Sequence, residues 1–260
     1  MITSTDNKRL KNISLLLKKA SARKQQSLFI AEGERLLFET PSDLIDSVFA
    51  AESFAAKPEN EEKLKKLCPE YEVVKDEVFN KIADTVTPQG VLGVIRQPGW
   101  NLGELLSNEK NDFILILNGV QDPGNLGTMM RTAEGAGVSF VLADKNTVDL
   151  FNPKVVRATM GSIFRLPFVV TEDLKGALGA LKNRGVITYA AHLKGERSYF
   201  ECDYKRPTAF IIGNEGNGIE DEIANAAGEL IKIPMGGKLE SLNAAMSAGI
   251  LMYEVLRQRS

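Results

Sequence analysis

The sequence is poor in the residues that build disulfide frameworks and metal centres, with two cysteines and one histidine among 260 residues. Cys68 and Cys202 lie far apart and match no metal-ligand spacing, which predicts reduced thiols. No stretch approaches about 18 consecutive apolar residues, and the first residues contain no apolar segment typical of a signal peptide. These absences argue against secretion and membrane insertion. They predict a cytoplasmic protein without a metal site.

Charge is balanced over the whole chain but not within it. The net charge is −2, so the overall charge predicts no polyanionic partner. Residues 1–24, by contrast, carry a single acidic residue, Asp6, against these cations: Lys8, Arg9, Lys11, Lys18, Lys19, Arg23 and Lys24. Apolar residues recur there at helical spacing, which predicts one amphipathic helix with most of the cations on its solvent face. That face is either simply solvated or a local surface for nucleic acid.

The chain is predicted to divide into two unequal parts. Residues 1–97 alternate short helices and strands, which indicates a compact α/β unit. Residues 98–111 are polar, begin with Pro98 and Gly99, and are the predicted linker. Residues 112–260 alternate apolar strands with longer helices. The hydrophobic content of 43% supplies enough apolar material for a core in each part.

The strands of the second part are almost wholly apolar. They read FILILNGV, FVLA, LPFVV, VITYAA, AFIIGNE and LIKIPM. Strands without polar alternation are buried on both faces, which predicts a parallel sheet covered by helices. In such sheets, ligands bind beyond the carboxyl ends of the strands.

Three of these strands end in loops rich in Gly, Asn and Glu, each followed by a helix. The loops and helix starts read QDPGNLGTMMRTAEGAG, GNEGNGIEDEI and GGKLESLNAAMSAG. Loops of this kind let the main chain approach a ligand closely and present N–H groups to it. None matches G-x-G-x-x-G or G-x-x-x-x-G-K-[ST], so dinucleotide and triphosphate sites lack their signatures. One such loop alone is more typical of a structural turn, whereas three on one sheet favour a ligand site.

Together, DPGNLGTMMRTAEGAG, FIIGNEGNGI and IPMGGKLESLNAAMSA resemble a known set of motifs. In order and spacing they are similar to the three signatures of the SpoU (TrmH) branch of the SPOUT superfamily. Members of that branch are AdoMet-dependent RNA 2′-O-ribose methyltransferases. The resemblance covers about residues 112–258. More weakly, FIAEGERLL and TPQGVLGVI in the first part resemble the RNA-binding domain that is often fused ahead of this catalytic domain.

The resemblance implies an α/β fold in which a C-terminal SPOUT domain has a parallel sheet and a trefoil knot. A small α/β RNA-binding domain similar to ribosomal proteins precedes it. The resemblance also implies a homodimer, with the helix 243–257 and the loop 122–131 at the seam. Small residues begin that helix, namely Ala244, Ala245, Ser247, Ala248 and Gly249. They suit close approach to the cofactor loops, although core packing or a dimer seam gives the same pattern.

AdoMet is the implied cofactor, bound mainly by main-chain groups of three loops. The residues carried over from the family are Ala190, Ala191, His192, Ile212, Gly213, Asn214, Gly216, Gly218, Ile233, Pro234, Met235, Ser241, Leu242, Asn243 and Ala245. The adenine is expected among apolar residues such as Ile233, Met235 and Leu242. His192, the single histidine, is expected near the cofactor and not as a base.

The catalytic residues implied by the family are Arg131, Asn125, Glu215, Ser241 and Asn243. A guanidinium is a very poor proton acceptor, so Arg131 is expected to bind the substrate phosphate and orient the 2′-hydroxyl. Glu215 would fix that geometry, and the proton acceptor stays open between the phosphate and water. Gly161 and Ser162 are expected to form a turn near the active site. Motif one departs from its relatives at Thr128, where Ala or Ser is common.

Several functions remain open at this level. The favoured one is 2′-O-methylation of structured RNA, with 23S ribosomal RNA ahead of transfer RNA. A non-catalytic RNA-binding protein with the same fold is one alternative, and an NAD- or NTP-dependent enzyme is another. Thermal stabilisation by AdoMet, as opposed to NAD(P) or ATP, would separate these functions, because a ligand that binds only the native state stabilises it.

Overall fold

The computed structural model describes residues 1–110 and 112–260. Its helices are α1 (Lys8–Lys18), α2 (Ala20–Gln26), α3 (Glu34–Phe38), α4 (Glu52–Ala55), α5 (Pro58–Leu67), α6 (Asp76–Ile82), α7 (Leu102–Ser107), α8 (Pro123–Gly135), α9 (Pro153–Thr159), α10 (Ser162–Arg165), α11 (Leu174–Asn183), α12 (Asp221–Ala226) and α13 (Ala244–Arg259). Its strands are β1 (Leu28–Glu32), β2 (Ile45–Ala51), β3 (Glu72–Val74), β4 (Val91–Arg96), β5 (Phe113–Asn118), β6 (Phe140–Asp144), β7 (Phe168–Thr171), β8 (Ile187–Ala191), β9 (Arg197–Ser198), β10 (Thr208–Gly213) and β11 (Glu229–Lys232).

The chain folds into two compact units. Unit 1 contains Met1–Gly99 together with Asp149–Phe164, and unit 2 contains Trp100–Val148 and Arg165–Ser260. The segment 149–164 therefore belongs to the body of unit 1 although it lies between two strands of unit 2. The predicted ranges 1–97 and 112–260 do not include this excursion, because local sequence patterns carry no information about which body a helix packs on.

Unit 1 is built on a four-stranded sheet in the order β1-β4-β2-β3. β4 pairs antiparallel with both β1 and β2, and β2 pairs parallel with β3. Phe29 in β1 packs against Phe151 and Phe164 of the segment 149–164, with ring centroids 4.9 and 6.1 Å apart. Arg157 of α9 forms an ion pair with Asp84 at 2.7 Å.

The basic N-terminal region differs from the predicted single helix. α1 ends at Lys18, Lys19 is extended, and α2 begins at Ala20. Lys8, Arg9, Lys11, Lys18, Lys19 and Lys24 are exposed, as expected for a solvent face. Arg9 pairs with Glu72 and Lys11 pairs with Asp6.

Arg23 contradicts the expectation of an RNA-facing cation, because it is only 3% exposed. Its guanidinium contacts the Asp149 carboxylate at 2.6 and 2.7 Å and donates to the carbonyl oxygen of Leu16. A charge at this depth needs a partner, and Asp149 supplies it from the segment 149–164.

Unit 2 is built on a seven-stranded sheet in the order β7-β6-β5-β10-β8-β11-β9, with every neighbouring pair parallel. β5, β6 and β10 are completely buried, which confirms the sheet predicted from unbroken apolar strands. The order places β5, β10, β8 and β11 side by side. Since parallel strands end at one edge, the loops after these four strands lie at the same edge of the sheet.

The predicted linker 98–111 contains the helix α7, whose leucines Leu102, Leu105 and Leu106 pack against the core of unit 2. The Asn101 side chain accepts a hydrogen bond from the main-chain N–H of Glu104 and so caps the start of the helix. The prediction of a linker therefore missed a short amphipathic helix, because the surrounding stretch is polar and begins with a proline. None of the helices among residues 1–110 and 112–260 is long and apolar enough to cross a membrane.

The small residues at the start of α13 allow close packing. Ala245 and Ala248 are buried, and the helix packs against α8 and β10. A Cβ atom placed on Gly249 would lie 3.7 Å from Cγ2 of Thr132 in α8, an ordinary contact distance. The outer face of α13 is different, because Met246, Tyr253 and Leu256 are exposed there.

Candidate active site

The loop after β10 turns back tightly on itself. Asn214 and Gly218 exchange main-chain hydrogen bonds of 2.9 and 3.0 Å. A Cβ atom on Gly213 would lie 2.3 Å from the main-chain carbon of Gly218, so a side chain at this position would displace the turn. Gly218 itself has φ of +72°, which favours glycine. Oδ1 of Asn214 accepts hydrogen bonds from the N–H groups of Gly216 and Asn217, both at 2.9 Å.

Glu215, at the tip of this turn, contacts the residues just before α8 and in its first turn, where the first motif (DPGNLGTMMRTAEGAG) begins. Its carboxylate accepts hydrogen bonds from the main-chain N–H groups of Gln121 and Asp122, at 3.1 and 3.0 Å. It also accepts from Nδ2 of Asn125 at 2.9 Å. Partial burial alone would raise the pKa of Glu215, but these hydrogen bonds outweigh it and the pKa lies below the ordinary value of 4.5. Glu215 is therefore held as an anion.

Asn125 also contacts Asn243, which belongs to the third motif (IPMGGKLESLNAAMSA) and precedes α13. Its Oδ1 accepts a hydrogen bond from Nδ2 of Asn243 at 2.9 Å. Oδ1 of Asn243 in turn accepts from the N–H groups of Ala245 and Met246, which caps α13. Residues from all three motifs, Asn125, Glu215 and Asn243, therefore form one hydrogen-bonded chain. The structure thus brings together three of the five predicted catalytic residues, whereas no hydrogen bond among the described residues joins Arg131 or Ser241 to them. Their catalytic roles stay predictions.

Arg131 lies in α8, two residues beyond the buried Met129, and its side chain is exposed. Among the described residues it has no hydrogen-bond or ion-pair partner, unlike Arg165, which is bound to Glu134 in the same unit. An unengaged guanidinium is free to form two parallel hydrogen bonds with a phosphate.

The predicted cofactor residues follow three adjacent strands. Ala190 and Ala191 end β8, Ile212 and Gly213 end β10, and Ile233 follows β11. The β8 and β11 ends are joined by a hydrogen bond from the N–H of His192 to the carbonyl oxygen of Ile231. Nδ1 of His192 accepts from the N–H of Lys194 at 3.1 Å, so this nitrogen already has a partner.

The segment from Ile233 to Asn243 has the character of a binding loop. Ile233, Met235 and Leu242 are half-buried, whereas Pro234 and Ser241 are exposed. Within the described part of the chain, no hydrogen bond involves the main-chain groups of residues 235–242. These groups are therefore available to a ligand, next to apolar side chains that suit a planar ring.

Two polar residues of this edge were not predicted from the sequence. Asn118 ends β5 and Asp144 ends β6, and they are only 2% and 6% exposed. Nδ2 of Asn118 donates to Asp144 at 3.0 Å. The signal that could have identified them is a polar residue closing an otherwise apolar strand, FILILN and FVLAD.

Two further expectations concern unit 1 and metal ions. Met160 and Gly161 have φ of +51° and +89°, so a tight turn lies between α9 and α10. The turn was predicted at Gly161 and Ser162, but Ser162 is the first residue of α10. Gly161 and Ser162 belong to unit 1, and their expected proximity to the active site stays a prediction. Among residues 1–110 and 112–260, no group of three or more His, Cys, Asp or Glu side chains is placed to hold a metal ion.

A parallel α/β sheet with three hydrogen-bonded motifs beyond the carboxyl ends of its strands defines the class of α/β proteins that bind a ligand at that edge. Comparison with known proteins specifies the family. The model of the SpoU rRNA Methylase family matches residues 112–253, and the MRM3-like substrate binding domain matches residues 7–93. The chain belongs to the SpoU rRNA methylase family.

Relatives with assigned names support this membership. The chain is 36% identical over 183 residues to the 23S rRNA (guanosine(2553)-2′-O)-methyltransferase RlmP of Bacillus subtilis, covering 70% of this chain and 71% of the relative. It is 33% identical over 190 residues to the 23S rRNA (guanosine-2′-O-)-methyltransferase RlmB of Ralstonia nicotianae, covering 68% and 76%. An uncharacterized tRNA/rRNA methyltransferase of Synechocystis is 31% identical across 99% of this chain and 94% of its own.

Solved structures agree over nearly the whole chain. An AdoMet-bound rRNA methyltransferase from Sinorhizobium meliloti has a TM-score of 0.85 at 33% identity, covering 98% of this chain and 97% of its own. The SpoU methyltransferase AviRb from Streptomyces viridochromogenes has a TM-score of 0.84 at 23% identity, which is a likeness of fold alone. The predicted α/β fold with a parallel sheet is confirmed, and the trefoil knot stays a prediction.

Proposed function

We propose that this protein is an AdoMet-dependent methyltransferase that modifies a ribose 2′-hydroxyl in structured RNA. The observation that carries the proposal is the hydrogen-bonded chain from Glu215 through Asn125 to Asn243. It joins the three family motifs at the edge where parallel α/β sheets bind ligands. Membership of the SpoU rRNA methylase family supports methyl transfer as the reaction of this domain.

AdoMet fits the chemistry of the three loops after β8, β10 and β11. The main-chain N–H and C=O groups of residues 235–242 can form hydrogen bonds with the edge of an adenine. The side chains of Ile233, Met235 and Leu242 can pack against its faces. When bound, AdoMet supplies an activated methyl group on a sulfonium. The proposed cofactor residues are those carried over in the sequence analysis, from Ala190–His192, 212–218, 233–235 and 241–245.

Arg131 is the residue to which we assign binding of the RNA substrate. Its exposed guanidinium has no partner among the described residues, so it can bind a phosphate of the RNA and direct the neighbouring 2′-hydroxyl. Catalysis would then rest on how these residues position the 2′-hydroxyl, which is the nucleophile of the reaction. Glu215 stays ionised and organises the loop before Arg131. Ser241 and Asn243 complete the group of proposed catalytic residues, and the phosphate or water takes the hydroxyl proton.

Ribosomal RNA is the favoured substrate class. Two relatives bear names of 23S rRNA (guanosine-2′-O-)-methyltransferases, and residues 7–93 match a substrate binding domain. In this proposal residues 1–97 hold RNA, residues 98–111 connect the two parts, and residues 112–260 carry out the chemistry. Transfer RNA is the alternative substrate, since another relative is named for both RNA classes.

We further propose a homodimer and a cytoplasmic location. The outer face of α13 exposes Met246 at 60% and Tyr253 at 51%, which suits burial against a second copy. Tyr253→Glu should convert a dimer to a monomer in sedimentation, whereas Val170→Glu, at an equally exposed site on β7, should leave it dimeric. A wild-type monomer at micromolar concentration would refute the dimer.

Two measurements test the function. Calorimetry of metal-free protein should detect binding of AdoMet and of its demethylated product, but not of NAD or ATP. Mapping of 2′-O-methyl sites in 23S rRNA and in tRNA, from cells with and without the gene, should reveal one lost site. The absence of AdoMet binding at millimolar concentration would overturn the proposal, and a lost site in tRNA would replace the substrate class.

A further inference from the structure

Asp144 is a buried carboxylate without a cationic partner among the described residues. Its oxygens are satisfied instead by four donors. Oδ1 accepts from the N–H groups of Gly119 and Thr147, at 3.0 and 2.9 Å, and from the Thr147 hydroxyl at 2.7 Å. Oδ2 accepts from Nδ2 of Asn118 at 3.0 Å. A group that accepts at every position forces each neighbour to present a donor.

This constraint fixes the direction of the Asn118 amide and holds the main chain at Gly119. Because Nδ2 of Asn118 faces Asp144, its Oδ1 faces away and accepts from the N–H of Glu220 at 2.9 Å. Gly119, held through its N–H, presents its carbonyl oxygen to Nδ2 of Asn214 at 2.8 Å. Oδ1 of Asn214 is then left to accept from Gly216 and Asn217.

Both sets of hydrogen bonds, through Gly119 to Asn214 and through Asn118 to Glu220, end on the loop after β10, which carries the second motif. Asn214 precedes Glu215 in this loop and Glu220 follows it. The loop is therefore held at Asn214 and at Glu220 by hydrogen bonds to Gly119 and Asn118, both of which are bonded to Asp144. We propose that Asp144 is a positioning residue for the reaction, which acts through Asn118 and Gly119 to hold the loop carrying Glu215. This inference rests on the proposed function, which assigns Glu215 and its loop to the active site, and it adds a residue that positions this loop.

The direction of the hydrogen bonds provides a sharp test. In Asp144→Asn, an amide nitrogen replaces the oxygen that faces Nδ2 of Asn118, and two donors meet. If Asn118 turns over to relieve this, its nitrogen meets the N–H of Glu220 instead. In the double variant N118D/D144N, the carboxylate at position 118 accepts from both neighbours, so every hydrogen bond can re-form.

Activity is the first readout. We expect D144N to lower kcat roughly 10- to 100-fold with little change in KM for RNA, since the loop is displaced but the groups that bind substrate remain. The double variant should recover most of the loss. Assays are run well below the melting temperature of each variant, and Asp173→Ala serves as a stability control. Asp173 caps α11 through Gly176, so its loss should lower the melting temperature and leave kcat unchanged.

Hydrogen exchange at the amides of Gly216, Asn217 and Glu220 is the second readout, and it requires neither RNA nor turnover. Exchange should be faster in D144N and return to the wild-type rate in N118D/D144N. Wild-type exchange in D144N, or no recovery in the double variant, would overturn the inference. If the wild-type protein methylated no RNA, the proposed function would fail while exchange still decided the role of Asp144.

Discussion

Glu215 and Asn125 lie 90 positions apart in the sequence, yet Nδ2 of Asn125 donates a hydrogen bond to the Glu215 carboxylate at 2.9 Å. This contact joins the loop after β10 to the first turn of α8, the helix that follows the neighbouring strand β5. Because Oδ1 of Asn125 also accepts from Asn243, one side chain links all three motifs. The candidate active site is therefore a single hydrogen-bonded structure, and we expect substitutions within it to have coupled effects.

Arg131→Ala should abolish methyl transfer while AdoMet affinity and stability remain nearly unchanged. The side chain is exposed and has no partner among the described residues, so its removal should alter the free energy of unfolding by less than about 0.5 kcal/mol. Single-turnover rates, AdoMet calorimetry and thermal melts measure the three quantities.

Arg131→Lys is the matched control for charge. It keeps a cation but loses the planar fork, so only partial activity should return. Near-normal turnover in Arg131→Ala would exclude the phosphate-binding role.

Glu215→Gln should destabilise the protein in a pH-dependent way. The folded-state pKa of Glu215 lies below 4.5, because hydrogen bonds from Asn125 and two main-chain N–H groups outweigh the effect of burial. A lowered pKa stabilises the folded state above the unfolded value, and that stabilisation is lost as the pH falls through the folded pKa. Melts of both proteins should therefore differ at pH 7 and converge below pH 4.5. A difference that persists unchanged in acid would contradict this account.

Asn243→Asp should separate the capping role of Asn243 from its link to Asn125. Aspartate still accepts from the N–H groups of Ala245 and Met246, so α13 keeps its cap. It cannot donate to Asn125, so the connection between motifs is lost and kcat should fall. Asn243→Ala loses both and should cost about 1 kcal/mol more in unfolding free energy. Equal kcat in the wild type and in Asn243→Asp would argue against the connection.

Replacing Lys18, Lys19 and Lys24 by Gln should weaken RNA binding and reduce its dependence on salt. For single-stranded RNA, every phosphate that is no longer neutralised by a lysine flattens the slope of log K against log salt by about 0.7. AdoMet affinity should be unchanged. Arg23 is left intact, because it is buried and paired with Asp149.

The control triple variant replaces Lys57, Lys66 and Lys81, three exposed lysines elsewhere in unit 1, by Gln. It should retain the wild-type affinity and slope. If both triples behaved alike, the helices α1 and α2 would not be the RNA-binding surface.

Local patterns predicted the sheet of unit 2 and the meeting of its motif loops, because apolar strands and glycine-rich strand ends are visible in short windows. They could not place Arg23, whose partner Asp149 lies 126 positions away. They also missed the break at Lys19, where α1 and α2 keep apolar spacing on either side of an extended residue. Asp144 was not predicted because its partners Asn118 and Gly119 lie 26 and 25 positions away, on the neighbouring strand and just after it.

The excursion of residues 149–164 into unit 1 limits the modularity of this protein. A fragment ending at Gln97 would leave Arg23 without its counter-ion, Phe29 without two aromatic neighbours and Asp84 without Arg157. Conversely, a fragment beginning at Asp112 would carry that segment with its apolar face uncovered. Unit 1 is thus not an independent N-terminal module. To exchange it between relatives, the gene segments for residues 1–99 and 149–164 would have to be replaced together.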